Sequence, residues 1–223
     1  MSSGVDPPQR RLEAVVFDFG ETLIDETRDW SAWADWAGVP RLTFLATLGA
    51  LIAEGRHHRE IFDVFGVPRP GNENDAGGGS LPTVLRADDL YPDARPCLAE
   101  LRRLGLRIGI AGNQPDRAAE ILATVGVELD LVATSAAWGV EKPSPAFFAR
   151  IASELALPPR AIAYVGDRVD NDVIPAAAAG MTAIFIRRGP WAWIQCPVGA
   201  PPGASYVIED LAVLPDLVRP HYD

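Results

Sequence analysis

The stretch AVVFDFGETLID, residues 14–25, carries an apolar strand into an aspartate. Residues 14–19 combine β-branched and aromatic side chains in a near-continuous apolar run, which reads as a strand buried on both faces. Asp18 stands near its carboxyl end, and Gly20 follows two positions later. Beyond residue 93 helices and apolar strands alternate. A helix over 93–104 leads into the strand LRIGIAG at 106–112, and a second helix runs from Pro115 to Gly126. A short strand near 129–134 precedes EKPSPAFFARIASEL, whose prolines suit a helix N-terminus. The strand AIAYVG at 161–166, a helix near 172–179 and the strand TAIFI at 182–186 complete the series. This alternation predicts an α/β fold: a parallel, Rossmann-like sheet covered on both faces, in three α/β/α layers. Ligands bind such sheets at the carboxyl ends of the strands. Asp18, Gly112 with Asn113, and Asp167 are therefore expected along one rim.

The segment after the first strand contains no strand pattern. ETRDWSAWADWA, 26–37, spaces Trp30, Trp33 and Trp36 three apart and stops at Gly38-Val39-Pro40. Helices are expected at about 41–54 and 57–65, each closed by a glycine, and VPRPGNENDAGGGS, 67–80, reads as a flexible Gly-rich loop. The chain divides into a core of residues 12–25 and 88–223 and a small α-helical cap of residues 26–87. The tryptophan stripe suits cap core or cap-to-core contact. RHHRE, 56–60, suits a polar helix face, and RRGPWAWIQCP, 187–197, either edges the site or forms a surface loop pinned by its tryptophans.

Composition narrows the chemistry. A net charge of -10 argues against a nucleic-acid partner, because polyanions reward basic patches. No apolar run reaches the ~18 residues that cross a bilayer, and MSSGVDPPQRR lacks a signal-peptide core, so a cytoplasmic protein with no membrane partner is expected. Cys97 and Cys196 lie far apart without metal-ligand spacing, which suggests neither disulfide nor zinc site. Of 20 basic side chains a single one, Lys142, is a lysine. The sequence sets no oligomeric state.

Asp18 after the first strand and Asp167, Asp170 and Asp172 in GDRVDND after the fourth could converge on a hard cation such as Mg²⁺. Loop aspartates also cap helices, so spacing alone leaves both readings open. Taken in order along the chain, however, VVFDFGETL, IGIAGNQ, GVEKPSPAFF and YVGDRVDNDVIPAAAAGM resemble the four motifs of the haloacid dehalogenase superfamily of hydrolases, most of whose members are Mg²⁺-dependent phosphatases. The resemblance implies that Asp18 is the nucleophile and a metal ligand, forming an aspartyl phosphate. It implies main-chain ligation of Mg²⁺ at Gly20, a steadying charge from Lys142, and metal binding by Asp167 and Asp172. Gly112, Asn113 and Lys142 fall where the substrate phosphate is bound. The insert becomes a cap that shapes substrate choice.

Two positions depart from the pattern. In the family's phosphatases the residue two after the nucleophile is a second aspartate, which protonates the leaving group and then activates water; Gly20 can do neither. The second motif's hydroxyl is replaced by Gly112, although Asn113 and Gln114 beside it can donate hydrogen bonds. Losing a general acid or base costs roughly 10²–10⁴ in rate, and losing one oxyanion-type donor roughly 10²–10³. The resemblance thus implies a weakened or selective phosphatase of a small phosphorylated metabolite, favouring aryl or acyl phosphates. The alternative is a catalytically inactive relative that binds metal and a phospholigand or protein partner. Dehalogenating relatives place an aromatic residue at the Gly20 position and dispense with the distal carboxylates that this chain retains. Phosphonate-cleaving relatives use a cap lysine, and residues 26–90 contain none. Glu21, beside the gap, is the first candidate to replace the missing carboxylate as a catalytic group, with Asp25, Asp29, His57 and His58 as further candidates.

Overall fold

The computed structural model describes residues 12–68, 84–114 and 126–219. The strands are β1 (Ala14–Phe17), β2 (Arg107–Gly112), β3 (Leu131–Thr134), β4 (Ile162–Gly166), β5 (Thr182–Ile186) and β6 (Tyr206–Ile208). All neighbours pair in parallel, in the order β3-β2-β1-β4-β5-β6. Strand residues point alternately to the two faces. Val15, Phe17, Ile108, Ile110 and Val165 meet Leu98 and Leu101 of a helix at Ala94–Arg103. Ala14, Val16, Tyr164 and Phe185 face the other way, onto Phe147, Phe148 and Ile151 of a helix at Pro145–Glu154. Both faces are therefore covered, which explains why the strands read as unbroken apolar runs.

The described part of the insert is helical. The helices α1 (Thr27–Ala37) and α2 (Arg41–Ala53) meet at 110°, and a 3₁₀ turn at His58–Glu60 leads into α3 (Ile61–Val64). The last is shorter than the expected helix over 57–65. His57 Nδ1 accepts from the Arg59 N–H and the Glu60 carboxylate accepts from the His57 N–H, which caps a tight turn in place of a helical one. Phe44, Leu48, Leu51, Ile61 and Phe62 form the insert's own core, joined by Trp30 and, from the sheet domain, Trp191.

Trp191 belongs to a helix at Gly189–Gln195, so the surface loop that was one of two readings of 187–197 is not formed there. Asp172 lies in a wide π-type turn, Val169–Val173, ahead of a short helix at Ile174–Ala178. The strand β6 and the short helices at Ser135–Trp138 and Leu214–Val218 had no counterpart in the sequence reading. The expected helix from Pro115 and residues 69–80 of the expected loop lie outside the described residues. No single described helix is long and apolar enough to cross a membrane.

Candidate active site

The strand order reverses between β1 and β4, and each of these strands is followed directly by an aspartate there. The Asp18 N–H donates to the Val165 carbonyl at 2.8 Å, locking the end of β1 to β4. The chain then coils back on itself. The Phe19 carbonyl accepts from the N–H groups of Leu23 and Ile24, and the Glu21 N–H donates to the Ile24 carbonyl. Glu21 takes a left-handed φ of 51°, uncommon for a residue with a side chain. Asp25 then donates its N–H to the Asp89 carbonyl, so the coil is stitched to the core immediately before α1 begins.

Lys142 enters from the loop after β3. Its N–H donates to Asn113 Oδ1 at 2.8 Å, and its carbonyl accepts from Asn113 Nδ2 at 2.9 Å. This two-point grip aims the side chain inward, where Nζ lies 2.7 Å from Asp18 Oδ1 and 2.6 Å from Asp172 Oδ1. The other Asp172 oxygen accepts from the Arg168 N–H at 3.0 Å. Burial alone would lower the Lys142 ammonium, but Asp172 and Asp18 outweigh it and hold its pKa well above the ordinary value.

Asp167 is handled differently. It is buried, and its Oδ2 has no hydrogen-bond partner. Burial, then Asp172, Asp18 and Glu21, push its pKa well above that of an ordinary carboxyl. Burial likewise raises Asp172 to about 6 against the opposing pull of Lys142. Ligand oxygens of Asp18, Asp167 and Asp172 lie within 4.8 Å of one another. A buried carboxylate oxygen without a donor, beside two further carboxylates, fits a hard oxygen-seeking cation. Asp18 and Asp167 are placed to touch such an ion, whereas both oxygens of Asp172 already accept hydrogen bonds and orient Lys142.

The surroundings of the two glycines are filled. A Cβ at Gly112 would sit 2.5 Å from Asp18 Oδ1, so a side chain there would have to displace the Asp18 carboxylate. A Cβ at Gly20 would collide with the carboxyl group of Glu26, at 2.5 Å from its carbon and 2.9 Å from Oε2. Glu26 precedes α1, and its N–H donates to Glu21 Oε1 at 3.1 Å. Gln114 Nε2 approaches Glu26 Oε1 at 3.5 Å. Burial, reinforced by Glu21, Asp18 and Asp29, raises the Glu26 carboxyl to about 8.

The segment that bears this site, residues 12–180, matches the family model described as haloacid dehalogenase-like hydrolase. The chain belongs to this family. Haloacid dehalogenase-like relatives include a glyceraldehyde 3-phosphate phosphatase of Methanopyrus kandleri, 38% identical over 102 residues, or 44% of this chain and 44% of that protein. A phosphoserine phosphatase of Thermus thermophilus is 37% identical over 180 residues, 79% of this chain and 70% of that protein. The chain thus matches under half the length of the first and over two thirds of the second. Among solved structures, a HAD phosphatase from Thermococcus onnurineus superposes with a TM-score of 0.62 at 22% identity, covering 93% of this chain and 98% of that one, a likeness of fold.

Of the residues expected from sequence, Asp18, Lys142, Asp167 and Asp172 come together in one buried cluster, with Gly20 and Gly112 at its edge. Asn113 grips the Lys142 main chain with both ends of its amide. Glu21 is turned away from the expected role: its oxygens accept from Tyr91 Oη at 2.8 Å and from the Glu26 N–H. Asp25 caps the Thr27 N–H, and Asp29 accepts from the Val84 N–H. His58 packs between Trp30, Trp33 and Trp191. The group beside Gly20 is Glu26, which the sequence reading passed over as the first residue of a helix. Its one signal was a carboxylate at the junction of strand-end loop and insert.

Proposed function

We propose that the chain is a Mg²⁺-dependent phosphatase that hydrolyses a small phosphorylated molecule through an aspartyl phosphate on Asp18. The observation that carries this reading is the cluster itself: a nucleophile-ready carboxylate tied to a buried lysine, within 4.8 Å of a buried carboxylate with an oxygen that no protein donor meets. The relatives named as phosphatases support the reaction class. The net charge of -10 fits a small ligand rather than a nucleic acid.

Asp18 and Asp167, with the main-chain carbonyl of Gly20, would hold Mg²⁺, which neutralises phosphoryl charge when bound. Lys142 pins Asp18 Oδ1, so the second oxygen is the one to attack phosphorus in line with the departing group. The ammonium offsets charge on the phosphoryl oxygens as the bond to the leaving oxygen breaks. Asp172 keeps Lys142 charged and in place. Water then attacks the aspartyl phosphate and releases inorganic phosphate, restoring Asp18.

The test is phosphate release from a panel of alkyl, aryl and acyl phosphates with Mg²⁺. Asp18→Asn is expected to lose release on every substrate that the wild type accepts. Equal release from both proteins would overturn the reading. A stable beryllofluoride adduct without turnover of any activated phosphate would favour the inactive binder instead.

A further inference from the structure

We propose that Glu26 is the general acid and base of this site, delivering from the first residue of the insert the carboxyl group that Gly20 lacks. The inference rests on the phosphatase reading above and goes beyond it by naming the proton carrier. Its ground is position. An aspartate at residue 20 would place its carboxyl carbon ~1.5 Å beyond its Cβ; the Glu26 carboxyl carbon lies 2.5 Å from that same Cβ point. Glu26 has one methylene more than an aspartate and reaches this point from a main chain that starts farther away, beyond the coil at 19–25.

Glu26 is also held there. Glu21 accepts the Glu26 N–H with one oxygen and the Tyr91 hydroxyl with the other, and Gln114 stands 3.5 Å from Glu26 Oε1. Glu21 thus acts as a positioning residue for its successor. The bulk that Gly20 omits is the space the Glu26 carboxyl needs, so the glycine and the glutamate form one arrangement rather than a loss and an unrelated acid.

In the first step Asp18 forms a bond to phosphorus, the bond to the leaving oxygen breaks, and that oxygen takes its electron pair and the proton of the Glu26 carboxylic acid. In the second step the Glu26 carboxylate takes a proton from water as the water oxygen bonds to phosphorus. The Asp18–phosphorus bond breaks, its electron pair returns to Asp18, and Glu26 is again protonated. The sum is ester plus water giving alcohol plus phosphate.

The experiment compares wild type, Glu26→Gln, Gly20→Asp and the double variant Gly20→Asp/Glu26→Ala on a primary alkyl phosphate and on p-nitrophenyl phosphate. Phosphorylation of Asp18 is followed by intact-protein mass. Glu26→Gln is expected to lower alkyl phosphate turnover by about 10²–10⁴-fold, to slow p-nitrophenolate release far less, and to accumulate phospho-Asp18. The double variant is expected to recover alkyl turnover that Gly20→Asp, crowded against Glu26, does not show. An unchanged alkyl-to-aryl rate ratio and phosphoenzyme level in Glu26→Gln would overturn the inference while leaving the phosphatase reading intact. Absence of Asp18-dependent release from both substrates in wild type would overturn both.

Discussion

Among the described residues Lys142 is the one cation shared by Asp18 and Asp172, with its own side chain buried, so its removal is felt twice. Removing one partner of a buried ion pair costs about 3–5 kcal/mol, because the charge left behind has neither solvent nor counter-ion. Lys142→Met is expected to lower the unfolding free energy by that order in urea denaturation of metal-free protein, and to abolish turnover. A loss below about 1 kcal/mol would mean that the carboxylates relax into water or protonate cheaply. At this scale the sequence was informative where a residue type is rare or placed by a strand end, as with Lys142, Asp18 and Asp167. It was silent on Glu26 because the carboxyl reaches Gly20 only across the five residues 21–25, including a left-handed Glu21. No periodicity encodes that path.

At the scale of elements, the insert and the core share an aromatic seam. Trp30 and Trp191 lie 5.8 Å apart by ring centroids, and Arg168 stacks over Trp191 at 5.0 Å. His58 packs against the tryptophans of this seam and is half-buried. Burial first, then the positive charges of His57, Arg168 and Arg59, depress its pKa to about 3. An unfolded chain binds this proton near pH ~6.5 while the folded chain refuses it. The stability His58 contributes is therefore fully present above pH 6.5 and declines as pH falls toward 3. Tryptophan fluorescence should report loosening of the seam on acidification, and His58→Phe is expected to flatten that dependence. The spacing of the three tryptophans was legible as a packing stripe. The helix at Gly189–Gln195 was not, because Gly and Pro at its start are also loop residues. A three-residue edge strand such as β6 is too short to show a pattern.

For the molecule as a whole, the parallel sheet and the shared rim of Asp18 and Asp167 were readable from the alternation of helices and apolar strands, whereas the strand order that sets β1 beside β4 comes from the structure. The same placement builds a stability cost into the metal-free protein, since Asp167 keeps a buried oxygen without a donor. Asp167→Asn is expected to raise the thermal midpoint without Mg²⁺, and to show none of the further rise expected of the wild type on adding Mg²⁺. At a free concentration a hundredfold above its Kd, a ligand that binds only the folded state adds about 2.7 kcal/mol. A metal-free midpoint lowered by Asp167→Asn would show that the carboxylate is satisfied already. The collision between a Cβ at residue 20 and the Glu26 carboxyl has a consequence for paired substitutions. With the proton assigned to Glu26, a chain with no acid at either position is expected to lose alkyl phosphate turnover, and one with an acid at both must shift the end of the Glu26 side chain to seat the second carboxyl group. Substitutions at the two positions are therefore expected to be non-additive.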